Sequence, residues 1–97
     1  MIHQLKCKPN FFEDIIAGRK AFEVRNNDRN FHIGDYLALN ELTERGMETG
    51  RSALFRVCYM LKDSDYCKEG YAVLGIEACR VEVIGIGCEP TILEEGE

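Results

Sequence analysis

Apolar and polar positions alternate from Ile2 to Lys6, with His3 and Leu5 on one side and Ile2, Gln4 and Lys6 on the other, which is the two-residue period of a strand. Pro9 follows and suits the first turn of a helix, where its missing N–H costs no hydrogen bond. Phe11, Phe12, Ile15 and Ile16 then share one face at helical spacing. Glu13 and Asp14 lie off that face, where they are expected to favour the positive N-terminal pole, and Gly18 supplies the stop. A second strand is predicted over Lys20 to Arg25, with Phe22 and Val24 on one side and Ala21, Glu23 and Arg25 on the other. Two charges side by side on a strand face need either water or each other.

Asn26 to Gly34 is rich in turn formers and leads into a third strand, Tyr36 to Thr43, with Leu37 and Leu39 on one face. Residues 44–50 read as a hairpin connection. Arg51 to Leu61 is the clearest strand, because Ala53, Phe55, Val57, Tyr59 and Leu61 alternate with a more polar set. Leu54 and Met60 interrupt that polar side, so both faces are expected to be partly covered. Residues 62–70 form a polar loop, and Tyr71 to Ala78 and Arg80 to Gly87 are two further β-rich runs, with Gly75 and Gly85 as bulge or bend positions. About six strands and one flanking N-terminal helix make an α+β, mainly β chain. A small curved sheet closing into a barrel buries that many strands in 97 residues.

Length adds that 1–88 is one domain, with 89–97 an acidic tail expected to fray. Net charge is −5, which opposes indiscriminate attraction to a phosphate backbone, but the charge is uneven. Residues 1–57 carry nine Lys/Arg against eight Asp/Glu, and residues 58–97 carry three against nine. An anion site therefore belongs in the first half. No apolar run approaches the ~20 residues that cross a bilayer, and the first ten residues lack the apolar core of a signal peptide, so a soluble, cytoplasmic protein without a membrane partner is expected. Five scattered cysteines without a C-x-x-C pair point to a reducing compartment and predict no metal and no cofactor. A site assembled from the distant His3, His32 and Cys58 is the one metal alternative.

The densest chemistry lies at Lys20, Glu23, Arg25, Asp28 and Arg29, interleaved with Asn26 and Asn27. Composition alone allows two readings: a solvated strand edge with a Glu23/Arg25 surface pair, worth on the order of 0–1 kcal/mol, or a polar site. Gly18-Arg19-Lys20-Ala21-Phe22-Glu23-Val24-Arg25 resembles the G-x-K-x-x-E-x-R signature of the ASCH family, a branch of the PUA-like superfamily. Leu5-Lys6, Pro9, Phe12, Asn27-Asp28-Arg29, Phe31, Gly34-Asp35, Leu37, Leu39 and Glu41 extend the likeness to a subgroup of unassigned function. The resemblance implies a β-barrel with a flanking helix, whose cleft holds RNA or a modified nucleoside.

Two functions follow. In a binding module, Lys6, Lys20, Glu23, Arg25, Asn27, Asp28 and Arg29 hold an RNA or nucleotide-like ligand: Arg25 offers a planar fork, Lys20 a compact cation and Glu23 an acceptor for an exocyclic amine. Lys8 extends the basic rim, and Phe31 or Tyr36 is a candidate stacking face. Lys20 has the opposite strand parity to Glu23 and Arg25, so it must sit at the helix-strand junction to reach the same cleft. In the alternative, an amidohydrolase acting on a modified nucleoside such as N4-acetylcytidine, Lys20, Glu23 and Glu41 are the catalytic candidates. Relatives with that activity carry a threonine nucleophile where this chain has Glu23, which favours binding. Glu41 is inward in the hydrolase reading and otherwise marks the strand's exit into solvent.

Overall fold

A computed structural model describes residues 1–63 and 65–79. Its elements are β1 (Ile2–Cys7), α1 (Pro9–Ile16), β2 (Phe22–Asn26), a 3-10 turn (Asn27–Arg29), β3 (Tyr36–Leu42), β4 (Glu48–Lys62) and β5 (Tyr71–Ala78). The strands form one sheet in the order β1-β3-β4-β5-β2, curled into a half-barrel with one helix. The expected sixth strand, Arg80 to Gly87, and the tail 89–97 lie outside the described residues.

Among the described residues the sheet does not close as expected. β1 runs parallel to β3, with Leu5 opposite Leu39, and β2 runs antiparallel to β5, with Glu23 opposite Leu74. The two edges of the sheet are therefore β1 and β2, and they share no ladder. α1, which follows β1 in the chain and packs against β3, covers the core. Phe12 and Ile15 of α1 join Leu5, Leu37, Leu39, Phe55, Val57 and Leu74 in a single apolar cluster. Phe12 is fully buried, a contribution of about 1.5–3 kcal/mol of transfer free energy.

Three local departures have physical causes. Glu13 and Asp14 fall beyond the first turn of an eight-residue helix, and Asp14 pairs instead with Arg19 at 3.0 Å, next to the helix end. The hairpin turn is shorter than 44–50, because the Thr43 hydroxyl accepts the N–H groups of Arg45 (3.3 Å) and Met47 (3.1 Å), and β4 starts at Glu48. A register shift between Val57 and Tyr59 ends the simple alternation of β4. Tyr59 consequently faces solvent, and Met60 packs on the core. Leu54 and Ala38, on the opposite face from Phe55 and Leu37, are also buried, so both sheet faces are covered there.

Candidate functional site

The site begins where α1 ends. Gly18 adopts φ +81°, a left-handed conformation that suits glycine, and the turn is fixed by Gly18 N–H to the Ile15 carbonyl (3.0 Å) and Arg19 N–H to the Asp14 carbonyl (2.9 Å). The reversal places Lys20 just before β2, outside the ladder that starts at Phe22. Strand parity therefore does not constrain it. Its Nζ donates to Glu23 Oε1 at 2.9 Å and to the Phe22 carbonyl at 2.6 Å, and sits 5.2 Å and 4.7 Å from the ring centres of Phe11 and Phe22.

β2 turns its charged side inward and its apolar side out. Glu23 is only 4% exposed, whereas Phe22 and Val24 are 45% and 51% exposed. A buried carboxylate needs its charge neutralised and its lone pairs occupied. Lys20 takes Oε1, and Arg25 Nε donates to Oε2 at 2.9 Å. Arg25 Nη2 also donates to the backbone carbonyl of Lys6 at 2.6 Å, so this guanidinium crosses the gap between the two sheet edges. The pair expected on one strand face thus becomes a triad, Lys20 and Arg25 around the buried Glu23 carboxylate, at a seam between β1 and β2.

A cleft of about 370 Å³ opens on that triad, walled by Phe11, Phe22 and Val24 and floored by Cys7, with Lys6 and Lys8 beside it. A second depression, about 430 Å³, adjoins it at Lys6 and Arg25 and is lined by Gln4, Asn26, Asp28 and Arg29. Five cationic side chains, Lys6, Lys8, Lys20, Arg25 and Arg29, face two carboxylates, Glu23 and Asp28, across both depressions. The local excess is three positive charges on a chain of net charge −5. Burial, followed by the Glu23 carboxylate, pushes the Cys7 thiol up to about 11, so it is neutral at physiological pH.

Other expected site residues are committed to structural contacts or lie elsewhere. Asn27 Oδ1 accepts the Phe31 N–H at 3.0 Å, which shapes the loop leaving β2, and Asn30 completes that loop at φ +54°. Phe31 borders the second depression but offers no stacking face: it is 1% exposed and packs edge-on against the His3 ring at 4.6 Å. Tyr36 lines a separate depression with Arg56 and Glu77. Glu41 does not exit into solvent. It is buried, accepts from the Thr49 hydroxyl (2.9 Å), lies 3.4 Å from Arg51 Nη1 and stands opposite Cys7 in the β1–β3 ladder without itself lining the cleft. His3, His32 and Cys58 do not gather; among the described residues no group of three His, Cys, Asp or Glu side chains is placed to hold a metal. His3 is instead bonded to Asp35 at 2.8 Å. Burial pushes the Asp35 carboxyl upward, but His3, the His32 N–H and the N-terminal ammonium outweigh it and hold the group below its usual range.

Sequence reasoning missed the apolar walls Phe11, Phe22 and Val24. The available signal was partial: Phe22 and Val24 share the strand face opposite the charges, whereas Phe11 reaches the cleft from α1.

Residues 2–76 match the family described as Domain of unknown function (DUF3850). The chain belongs to that family. It is also similar, at 36% identity over 73 residues, to the "Uncharacterized 12.9 kDa protein in GpA 3'region" of Escherichia phage P2. That similarity covers 75% of this chain and 65% of the phage protein's length. Every residue lining the two depressions falls within the DUF3850 match. No helix among the described residues is long and apolar enough to cross a membrane.

Proposed function

We propose that this DUF3850 chain is a binding module for RNA or a nucleotide-like ligand, held at the seam between β1 and β2, and that its half-barrel is an ASCH-like member of the PUA-like superfamily. The observation that carries the reading is the convergence of Lys20, Glu23 and Arg25 on a cleft with aromatic walls and a cationic rim. Such a cleft offers a face to a base and charge to a phosphate, the two recurring needs of single-stranded nucleic-acid recognition. The uncapped N-terminus of α1 beside Lys8 adds a positive pole.

Binding is favoured over hydrolysis of a modified nucleoside such as N4-acetylcytidine. Glu23 has both oxygens committed to cations, Cys7 holds its proton, and Glu41 is engaged by Thr49 outside the cleft lining. None of the three is poised as a nucleophile or free base.

The test is fluorescence anisotropy with short single-stranded RNAs. Binding at low salt should fall on a log-log plot with a slope of about −2, as expected for about three phosphate contacts. Arg25→Ala should weaken it at least about tenfold, with circular dichroism verifying the fold. Absence of RNA and nucleotide binding, or binding that Arg25→Ala and Lys20→Ala leave intact, overturns the reading. Acetate release from N4-acetylcytidine, abolished by Lys20→Ala and Glu23→Gln, would install the hydrolase in its place.

A further inference from the structure

The two depressions along the seam differ in chemistry. The first has Phe11, Phe22 and Val24 in its lining together with the triad. The second is polar, and its Arg29 makes no ion pair or side-chain hydrogen bond among the described residues. They meet at Lys6 and Arg25, which line both. Arg29 and Asp28 are neighbours on the 3-10 turn, and that turn is positioned by two bonds, Asn27 N–H to the Gly70 carbonyl (2.8 Å) and Phe31 N–H to Asn27 Oδ1 (3.0 Å). A cation and a carboxylate are thus presented together in the polar depression that adjoins the cleft with aromatic walls.

Resting on the nucleotide-binding reading, we propose that the seam is a bipartite nucleotide site: the base enters the apolar cleft, and the sugar-phosphate lies in the polar depression. Arg29 grips the phosphate and Asp28 accepts a ribose hydroxyl. Arginine suits the first role because its planar fork matches two phosphate oxygens. An ionised carboxylate suits the second because it only accepts, and a ribose hydroxyl can donate. The 2′-hydroxyl is the group by which a site distinguishes RNA from DNA, so Asp28 becomes a determinant of sugar preference. Arg25, already bonded to Glu23 and the Lys6 carbonyl, marks the boundary between the two halves.

The experiment is an NMR titration of the full chain with the four ribonucleosides, their 5′- and 3′-monophosphates, and the matching deoxynucleotides. At least one monophosphate should bind about tenfold more tightly than its nucleoside, equivalent to about 1.4 kcal/mol. Arg29→Ala should bind nucleoside and monophosphate alike, and Asp28→Ala, which removes the acceptor, should lose the preference for ribose over deoxyribose. Equal binding of nucleoside and monophosphate by the natural chain, or equal weakening of both by Arg29→Ala, overturns the inference. If the RNA of the anisotropy test binds in either case, the nucleic-acid reading stands without it. If no nucleoside, nucleotide or RNA binds, both fall together.

Discussion

The Arg25 guanidinium donates to the backbone carbonyl of Lys6 at 2.6 Å, joining the edge strands β1 and β2 where no ladder does. The same side chain holds Glu23 Oε2 at 2.9 Å. A lysine at this position keeps the charge but has no rigid fork with which to satisfy both acceptors. Arg25→Lys should therefore lose about 1 kcal/mol and lower Tm by about 4–8 °C, measured by calorimetry. An unchanged Tm would mean that the bond across the seam contributes nothing to stability.

Glu23 is the anion that two cations share. Glu23→Gln leaves Lys20 and Arg25 facing each other over a neutral amide. Loss of one partner from a fully buried ion pair costs about 3–5 kcal/mol. Here the partner side chains are 15% and 27% exposed, and water offsets part of that, so a loss of about 2–3 kcal/mol is expected in urea titration. A neutral outcome would show the triad to be a surface cluster in effect, whatever its geometry.

Asp35 makes stability depend on pH in a defined direction. Its folded carboxyl titrates below the ordinary value of 3.8, so its stabilising contribution is present above that value and is lost as pH falls through the lower, folded one. Asp35→Asn should be less stable than the natural chain near neutrality by on the order of 1–2 kcal/mol. The difference should shrink below about pH 4 and vanish in stronger acid. Parallel stability curves from pH 7 down to pH 2 would contradict this.

Cys7 and Cys58 should differ in reactivity. Cys58 is exposed, whereas Cys7 is buried under the cleft with its thiol pushed up to about 11. Mass spectrometry after brief maleimide treatment at about pH 8 should find Cys58 modified in the native protein and Cys7 only after denaturation. Modification of native Cys7 at a comparable rate would place solvent and thiolate where the structure has neither.

Much of the fold was legible because period-two alternation is a local signal. β1, β3 and β5 follow it within a residue or so. Where it failed, a non-local term decided: the register shift opposite Gly75 turned Tyr59 outward and Met60 inward, and nothing in the spacing of β4 announces that. The charge cluster is legible in the sequence; the strand expected from Lys20 begins at Phe22 instead, which leaves Lys20 at the helix-strand junction that sharing a cleft with Glu23 and Arg25 requires. Which face of β2 is buried is not legible, since Phe22 and Val24 are more apolar than Glu23 and Arg25. Burial of Glu23 depends on Lys20 and on the Lys6 carbonyl anchoring Arg25, and the last of these comes from a different strand. Phe31 and Glu41 show the same lesson, as their surroundings are set by His3 and by Thr49 and Arg51.

The central claim is that ligand occupies the seam between β1 and β2. Backbone amide shift mapping by NMR during titration with a short single-stranded RNA tests it most directly. The account predicts that the largest changes fall on Lys6 to Lys8 and Phe22 to Arg29, with Tyr36, Arg56 and Glu77 unmoved. Shifts concentrated around Tyr36, Arg56 and Glu77, with the seam silent, would contradict it.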